Sequence, residues 1–174
     1  VLSEAAQAVP GLSVLYSDLG YMLLGWALEA CYERPLDEAF SAEVAAPLGM
    51  GRTQFRPPAT ERPWTAATEL DGDQRLTPGL DWSEVHDGNA YALGGVAGHA
   101  GLFAPLRELA RFAQVLLCPE EGGVLSAESV SAMATRQAGD GHDVRGIGWR
   151  LSPTDWGSWP AGTMWHTGFT GTSM

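Results

Sequence analysis

The sequence predicts an α+β fold in which helices and strands are segregated along the chain. Two observations carry this. Apolar residues recur at helical spacing up to Leu117, and the strand-like runs gather at the end, at Gly146–Leu151 and Thr163–His166, with Trp149, Trp156, Trp159 and Trp165 around them. Strands and helices do not alternate as they would in βαβ units.

The elements follow in order. Pro10-Gly11 signals a turn, and Leu12–Tyr16 is a short apolar approach segment. A helix is expected from Ser17 or Asp18, either of which can cap it, with Leu19, Met22, Leu23, Trp26, Ala27 and Ala30 as its apolar face. Arg34-Pro35 ends it, and Pro35 suits the start of a second helix carrying Leu36, Phe40 and Val44, closed by Pro47 and Gly49. No period holds from Gly51 to Tyr91. Pro57-Pro58, Pro63, Gly72 and Pro78-Gly79 mark a long loop region, which Trp64, Trp82 and Tyr91 suggest is packed.

Gly94, Gly95, Gly98 and Gly101 make Leu93–Phe103 glycine-dense. The block lacks both the Gly-Lys-Ser/Thr ending and the preceding strand of a phosphate cradle, so tight backbone packing beside a cleft is expected. A helix follows over Pro105–Leu117, with Leu106, Leu109, Phe112, Ala113 and Leu116 on its apolar side. Gly122-Gly123 is a turn, and Ser126 caps a short helix reaching Gln137.

The 174 residues fit one domain, and the net charge of −11 argues against nucleic-acid and anionic-membrane partners. All ten basic residues are Arg; the sequence contains no Lys. Cys31 and Cys118 show no zinc-site spacing and are expected to be buried structural thiols, with their pairing open. The apolar stretches at Tyr21–Leu28 and Val115–Leu117 are too short to span a membrane. Val1-Leu2-Ser3-Glu4 has neither an initiator Met nor a signal-peptide pattern, and Gly171–Met174 stops inside a strand-like region, so both ends are expected to be cut.

Three places could carry chemistry. Tyr16-Ser17-Asp18 stands at a loop-to-helix junction, where a Tyr hydroxyl near a cation can act as a general base. The neighbouring carboxylate can orient an amide or ammonium. His166-Thr167-Gly168-Phe169 lies at a strand end, where a glycine permits close approach, a backbone N–H can form half of an oxyanion hole, and His166 can donate to a carboxylate or tetrahedral oxygen. The third is the glycine-dense block. The four histidines, His86, His99, His142 and His166, have no metal-site spacing. His86-Asp87 and His142 with Asp140 and Asp143 are local pairs, and no metal or other cofactor is expected.

Together these pieces resemble one family. Tyr16-Ser17-Asp18 followed by Leu19–Gly25 is similar to the Tyr-x-Asn/Asp helix start of the β-lactamase-related serine hydrolases, which include class C β-lactamases, DD-peptidases and esterases. Ala46-Pro47-Leu48-Gly49-Met50 with Thr53 and Phe55, Val85–Tyr91, and Gly94–Phe103 resemble further segments of a penicillin-binding-protein-like subgroup. His166–Ser173 resembles its version of the Lys-Thr-Gly strand, with His166 in place of Lys.

The resemblance implies a serine β-lactamase/DD-peptidase-like α+β fold, incomplete here: the helical part plus part of the antiparallel sheet. Residues 1–174 would be a partial domain lacking the N-terminal Ser-x-x-Lys segment and the C-terminal strands. Without Lys that motif is impossible in this chain, so the nucleophile would lie upstream and the piece alone would be inactive. The implied catalytic residues are Tyr16 as proton shuttle, Asp18 as holder of the missing Lys and the substrate amide, and His166. Thr167, Gly168 and the Phe169 N–H would serve the substrate carboxylate or oxyanion. The substrate would be a small molecule or peptide with a carbonyl, attacked at an amide or ester, and the location extracytoplasmic. A non-catalytic, penicillin-binding-like recognition module or inactive remnant is the alternative.

Overall fold

The computed structural model describes residues 3–5, 7–68, 83–141, 143–152 and 159–174. The expectations placed on Gly72, Pro78-Gly79, Trp82, His142 and Trp156 lie outside them. The chain forms two compact units, Ser17–Gln114 and Leu2–Tyr16 with Val115–Met174.

The first unit begins with α1 (Asp18–Tyr32) and α2 (Leu36–Phe40), which continues as one π-helical turn, Ser41–Ala45. Ser17 occupies the N-cap of α1 as expected, but its side chain makes no capping bond. Glu33, in the left-handed conformation, ends the helix just ahead of Arg34-Pro35. The first N–H of α2 is satisfied from α1, by donation from Leu36 to Glu29 Oε1 at 2.9 Å, which answers the orphan donor every helix start presents.

The buried side of α1 differs from the expected one. Met22 and Gly25 are buried, whereas Leu19, Leu23 and Trp26 are exposed. The reason is a backbone contact. A Cβ on Gly25 would sit 3.1 Å from the Gly98 nitrogen, and one on Gly98 would overlap the Tyr21 carbonyl oxygen. The glycine-dense block therefore lies directly on α1, and the contact needs small residues rather than large apolar ones. Tight backbone packing was expected of this block and is what it shows.

Two short strands, β1 (Gln54–Phe55) and β2 (Leu102–Phe103), pair antiparallel with Gln54 opposite Phe103. Phe55 meets Phe40 edge to face at 6.1 Å, a favoured geometry for aromatic pairs. Besides β1, a 3₁₀ turn (Ala59–Trp64) and α3 (Gly88–Ala92) are the regular pieces, among the described residues, of the stretch read as loop. Trp64 is exposed and does not pack that loop.

Helix α4 (Leu106–Leu117) forms where expected, but Leu106 is exposed and Glu108 is buried. Glu108 points inward because it has partners there. It accepts the Thr53 hydroxyl at 2.7 Å and the Arg52 N–H at 3.1 Å.

The second unit holds α5 (Pro119–Gly122), α6 (Ala127–Met133), β3 (Arg150–Leu151) and β4 (Met164–Trp165). Ser126 caps α6 by accepting the Ser129 N–H at 3.1 Å, as its position predicts, though the helix ends at Met133 rather than Gln137. Strands β3 and β4 pair antiparallel, Arg150 opposite Trp165 and Leu151 opposite Met164. The Arg150 guanidinium lies 4.5 Å over the Trp165 ring, a stabilising cation–π placement.

Cys31 and Cys118 are free and exposed, contrary to the expectation of buried thiols. Cys31 sits on a part of α1 turned away from Met22 and Gly25. Among the described residues no helix is long and apolar enough to cross a membrane.

Candidate active site

In the second unit Tyr16 ends the irregular approach segment, and His166 follows β4 directly. Their rings lie 5.8 Å apart at 37°. The Arg145 guanidinium, from a residue the sequence did not single out, stands 5.8 Å over the Tyr16 ring. Arg145 is held on its other side by Asp143 at 2.8 Å. Its backbone is fixed by bridges to Ala138 and Arg150.

His166 is oriented by the backbone of the next residue. Nδ1 lies 2.8 Å from the Thr167 carbonyl oxygen, which can only accept, so Nδ1 carries the proton in that bond. The His166 N–H and C=O both pair with Met174, at 2.8 and 3.0 Å. Thr167 bridges to Ser173, and the Gly168 N–H is donated to Thr172 O at 2.7 Å. The chain reverses through Phe169 and Thr170, closed by the Gly171 N–H on Gly168 O at 3.1 Å. A side chain at Gly168 would overlap Thr172 Oγ1. Gly168 therefore contributes room, its N–H being already engaged, while the Phe169 side chain projects into solvent, 95% exposed.

Asp18 belongs to the other unit, at the first position of α1. There a carboxylate oxygen of Asp18, one of Asp87 and a ring nitrogen of His99 all lie within 4.8 Å of one another. Asp87 caps α3 through the Ala90 N–H at 2.8 Å, and the same Oδ1 meets His99 Nε2 at 2.8 Å. Burial pushes the Asp87 carboxyl up. The Ala90 N–H, the His99 bond and charge, and the Asn89 N–H outweigh it, so the group ends below its usual value.

The pairing of Asp87 with His99 was not read from the sequence, which suggested only the adjacent His86. The available signal was Asp87-Gly88-Asn89-Ala90, a helix-capping pattern that fixes where the carboxylate points. The trio offers three ligand atoms, a geometry a metal ion could use, but a His–carboxylate pair that also caps a helix is satisfied without one.

A separate cavity of about 360 Å³ in the first unit is lined by Arg56, Glu84, Tyr91, Gly95 and Phe103. Tyr16, Asp18 and His166–Phe169 do not line it, but Gly94, Gly95 and Phe103 of the glycine-dense block do.

Comparison with known proteins matches residues 1–174 to the Beta-lactamase family profile. A protein from Escherichia coli named putative D-alanyl-D-alanine carboxypeptidase is 36% identical over 94% of this chain. A Salmonella newport protein of the same name is 35% identical over the same share. The chain spans 42% of the length of both relatives. Among solved structures, a hydrolase with promiscuous acyltransferase activity superposes with a TM-score of 0.71 at 23% identity, covering 95% of this chain and 48% of that one. A penicillin-binding protein homologue from Pyrococcus abyssi gives 0.63 at 22% identity over 92% of this chain and 34% of that one. These likenesses bear out the α+β, penicillin-binding-like fold, and the chain belongs to the β-lactamase family.

Proposed function

We propose that this chain is the proton-transfer and substrate-facing segment of a longer serine hydrolase that cleaves amide or ester bonds through an acyl-enzyme. The observation that carries the reading is the meeting of the Tyr16 and His166 rings, with the Arg145 guanidinium over the Tyr16 ring. A phenol beside a fixed cation is suited to give and take a proton at the nucleophile. A histidine held by the carbonyl of the next residue is suited to bind a substrate carboxylate or the developing oxyanion.

In this reading the nucleophilic Ser and its Lys belong to a Ser-x-x-Lys motif outside these 174 residues, since the chain has no Lys. Asp18 accepts from that Lys and from the substrate amide. Thr167 and the Phe169 N–H line the acyl pocket. The relatives' name favours a peptide ending in D-alanine as substrate, with β-lactams and esters as the other acyl donors.

Labelling with a fluorescent penicillin and with a fluorophosphonate tests this. The full-length protein is expected to take up one label on a serine upstream of Val1, and the 174-residue chain none. Labelling of a serine within the chain, or no labelling of the full-length protein by either probe, would overturn the reading; the latter outcome favours a non-catalytic recognition module.

A further inference from the structure

The carboxylate of Asp18 is not alone at the start of α1. His99 comes to it from the glycine-dense block with a side chain only 3% exposed. Its Nδ1 has no hydrogen-bond partner among the described residues, so the ring commits its Nε2 to Asp87. Asp87 Oδ1 is in turn pinned by the Ala90 N–H of α3. The residue before His99 is Gly98, seated on the Tyr21 carbonyl of α1 with no space for a Cβ. Both the ring and the backbone of His99 are thus fixed with respect to the helix that begins at Asp18.

We propose that His99, anchored by Asp87, is a positioning residue that keeps the Asp18 side chain aimed for acyl transfer. This rests on the role given above to Asp18. The His99 ring stands within 4.8 Å of the Asp18 carboxylate while its Nε2 is tied to Asp87, so the ring limits where that carboxylate can turn. Without the imidazole, the Asp18 side chain can turn away from Asp87. It then no longer presents its oxygens to an ammonium or amide. The ring touches no reacting atom; it acts through Asp18, as hydrogen-bond partners behind a ligating or reacting group commonly do.

The test uses the full-length protein and follows kcat, KM and melting temperature with an activated ester or penicillin. His99→Leu is expected to lower kcat about 10–100-fold, the usual cost of losing such a supporting partner, with KM nearly unchanged. His99→Gln, whose amide N–H can still reach Asp87, should recover most of the loss. Asp87→Asn keeps the α3 cap, since Asn caps as well as Asp, yet should lower kcat about tenfold. This variant carries the test if His99→Leu fails to fold. In an Asp18→Asn background, His99→Leu should cost nothing further. Full kcat in His99→Leu or Asp87→Asn while Asp18→Asn is impaired overturns the positioning role alone. Additive losses in the double variant do the same. Full kcat in Asp18→Asn overturns both this proposal and the role of Asp18 it rests on.

Discussion

The ring of Tyr16, from the first segment of the chain, lies 5.8 Å from that of His166, from the last. Neither side chain has a regular element of its own, since Tyr16 precedes α1 and His166 follows β4. In the full-length protein, Tyr16→Phe keeps the ring and its place under Arg145 and removes only the hydroxyl. It is expected to lower kcat by roughly 10²–10⁴-fold, the range for a positioned acid or base, with little change in KM or melting temperature. Full activity in a stably folded Tyr16→Phe protein would leave Tyr16 as packing only.

His166→Ala separates two roles. If His166 grips a substrate carboxylate, KM rises for substrates that carry one and stays put for those that do not. If it holds the oxyanion, kcat falls for every substrate. Steady-state kinetics on a matched acid and amide pair tells them apart. We expect the first pattern, because the imidazole is oriented by the exposed Thr167 carbonyl rather than by a buried carboxylate.

Glu108 should be a stability residue. Its buried carboxylate accepts the Thr53 hydroxyl and the Arg52 N–H, and hydrogen bonds to charged groups contribute about 1.5–3 kcal/mol each. Glu108→Ala orphans both donors and should cost about 3 kcal/mol or more in urea unfolding, with kcat per folded molecule unchanged. Glu108→Gln retains one acceptor oxygen and should cost distinctly less.

Glu84 should respond to pH in the opposite sense from a paired carboxylate. Burial raises its carboxyl above the usual 4.5, and Oε2 has no hydrogen-bond partner among the described residues. Its favourable contribution is therefore complete below 4.5 and is lost as pH rises through the elevated folded value. Glu84→Gln should raise the urea midpoint at about pH 7 and leave it unchanged at about pH 4. Asp87 has the other sign: its carboxyl lies below 3.8 in the fold, so its contribution is present above 3.8 and fades as pH falls through the depressed value. An equal gain for Glu84→Gln at both pH values would remove burial of charge as its cause.

Much of the fold was legible where the signal is local. The start of α1, the Ser126 cap and the positions of β3 and β4 follow from capping residues and period. What the sequence hid was the face each helix buries. On α1 the contact is made by Gly25 against Gly98, and glycine adds nothing to an apolar pattern, so Leu19, Leu23 and Trp26 seemed the inward side. On α4 a charged residue, Glu108, is buried because its donors come from Arg52 and Thr53, far away in sequence. The same holds in the candidate site. Tyr16 and His166 were readable from the motifs they stand in, whereas Arg145 and His99 reach their partners only through tertiary folding.

The seating of Gly98 on the Tyr21 carbonyl has a consequence for how mutational maps of this family should be read. In a saturating screen scored by activity of the full-length protein, every substitution at Gly98 is expected to be depleted, because any side chain collides with the α1 backbone. Intolerance there records a steric limit of one atom, not contact with a reactant. Sorting the depleted positions by soluble yield would put Gly98 with the scaffold and separate it from positions, such as Asp18, for which a chemical role is proposed.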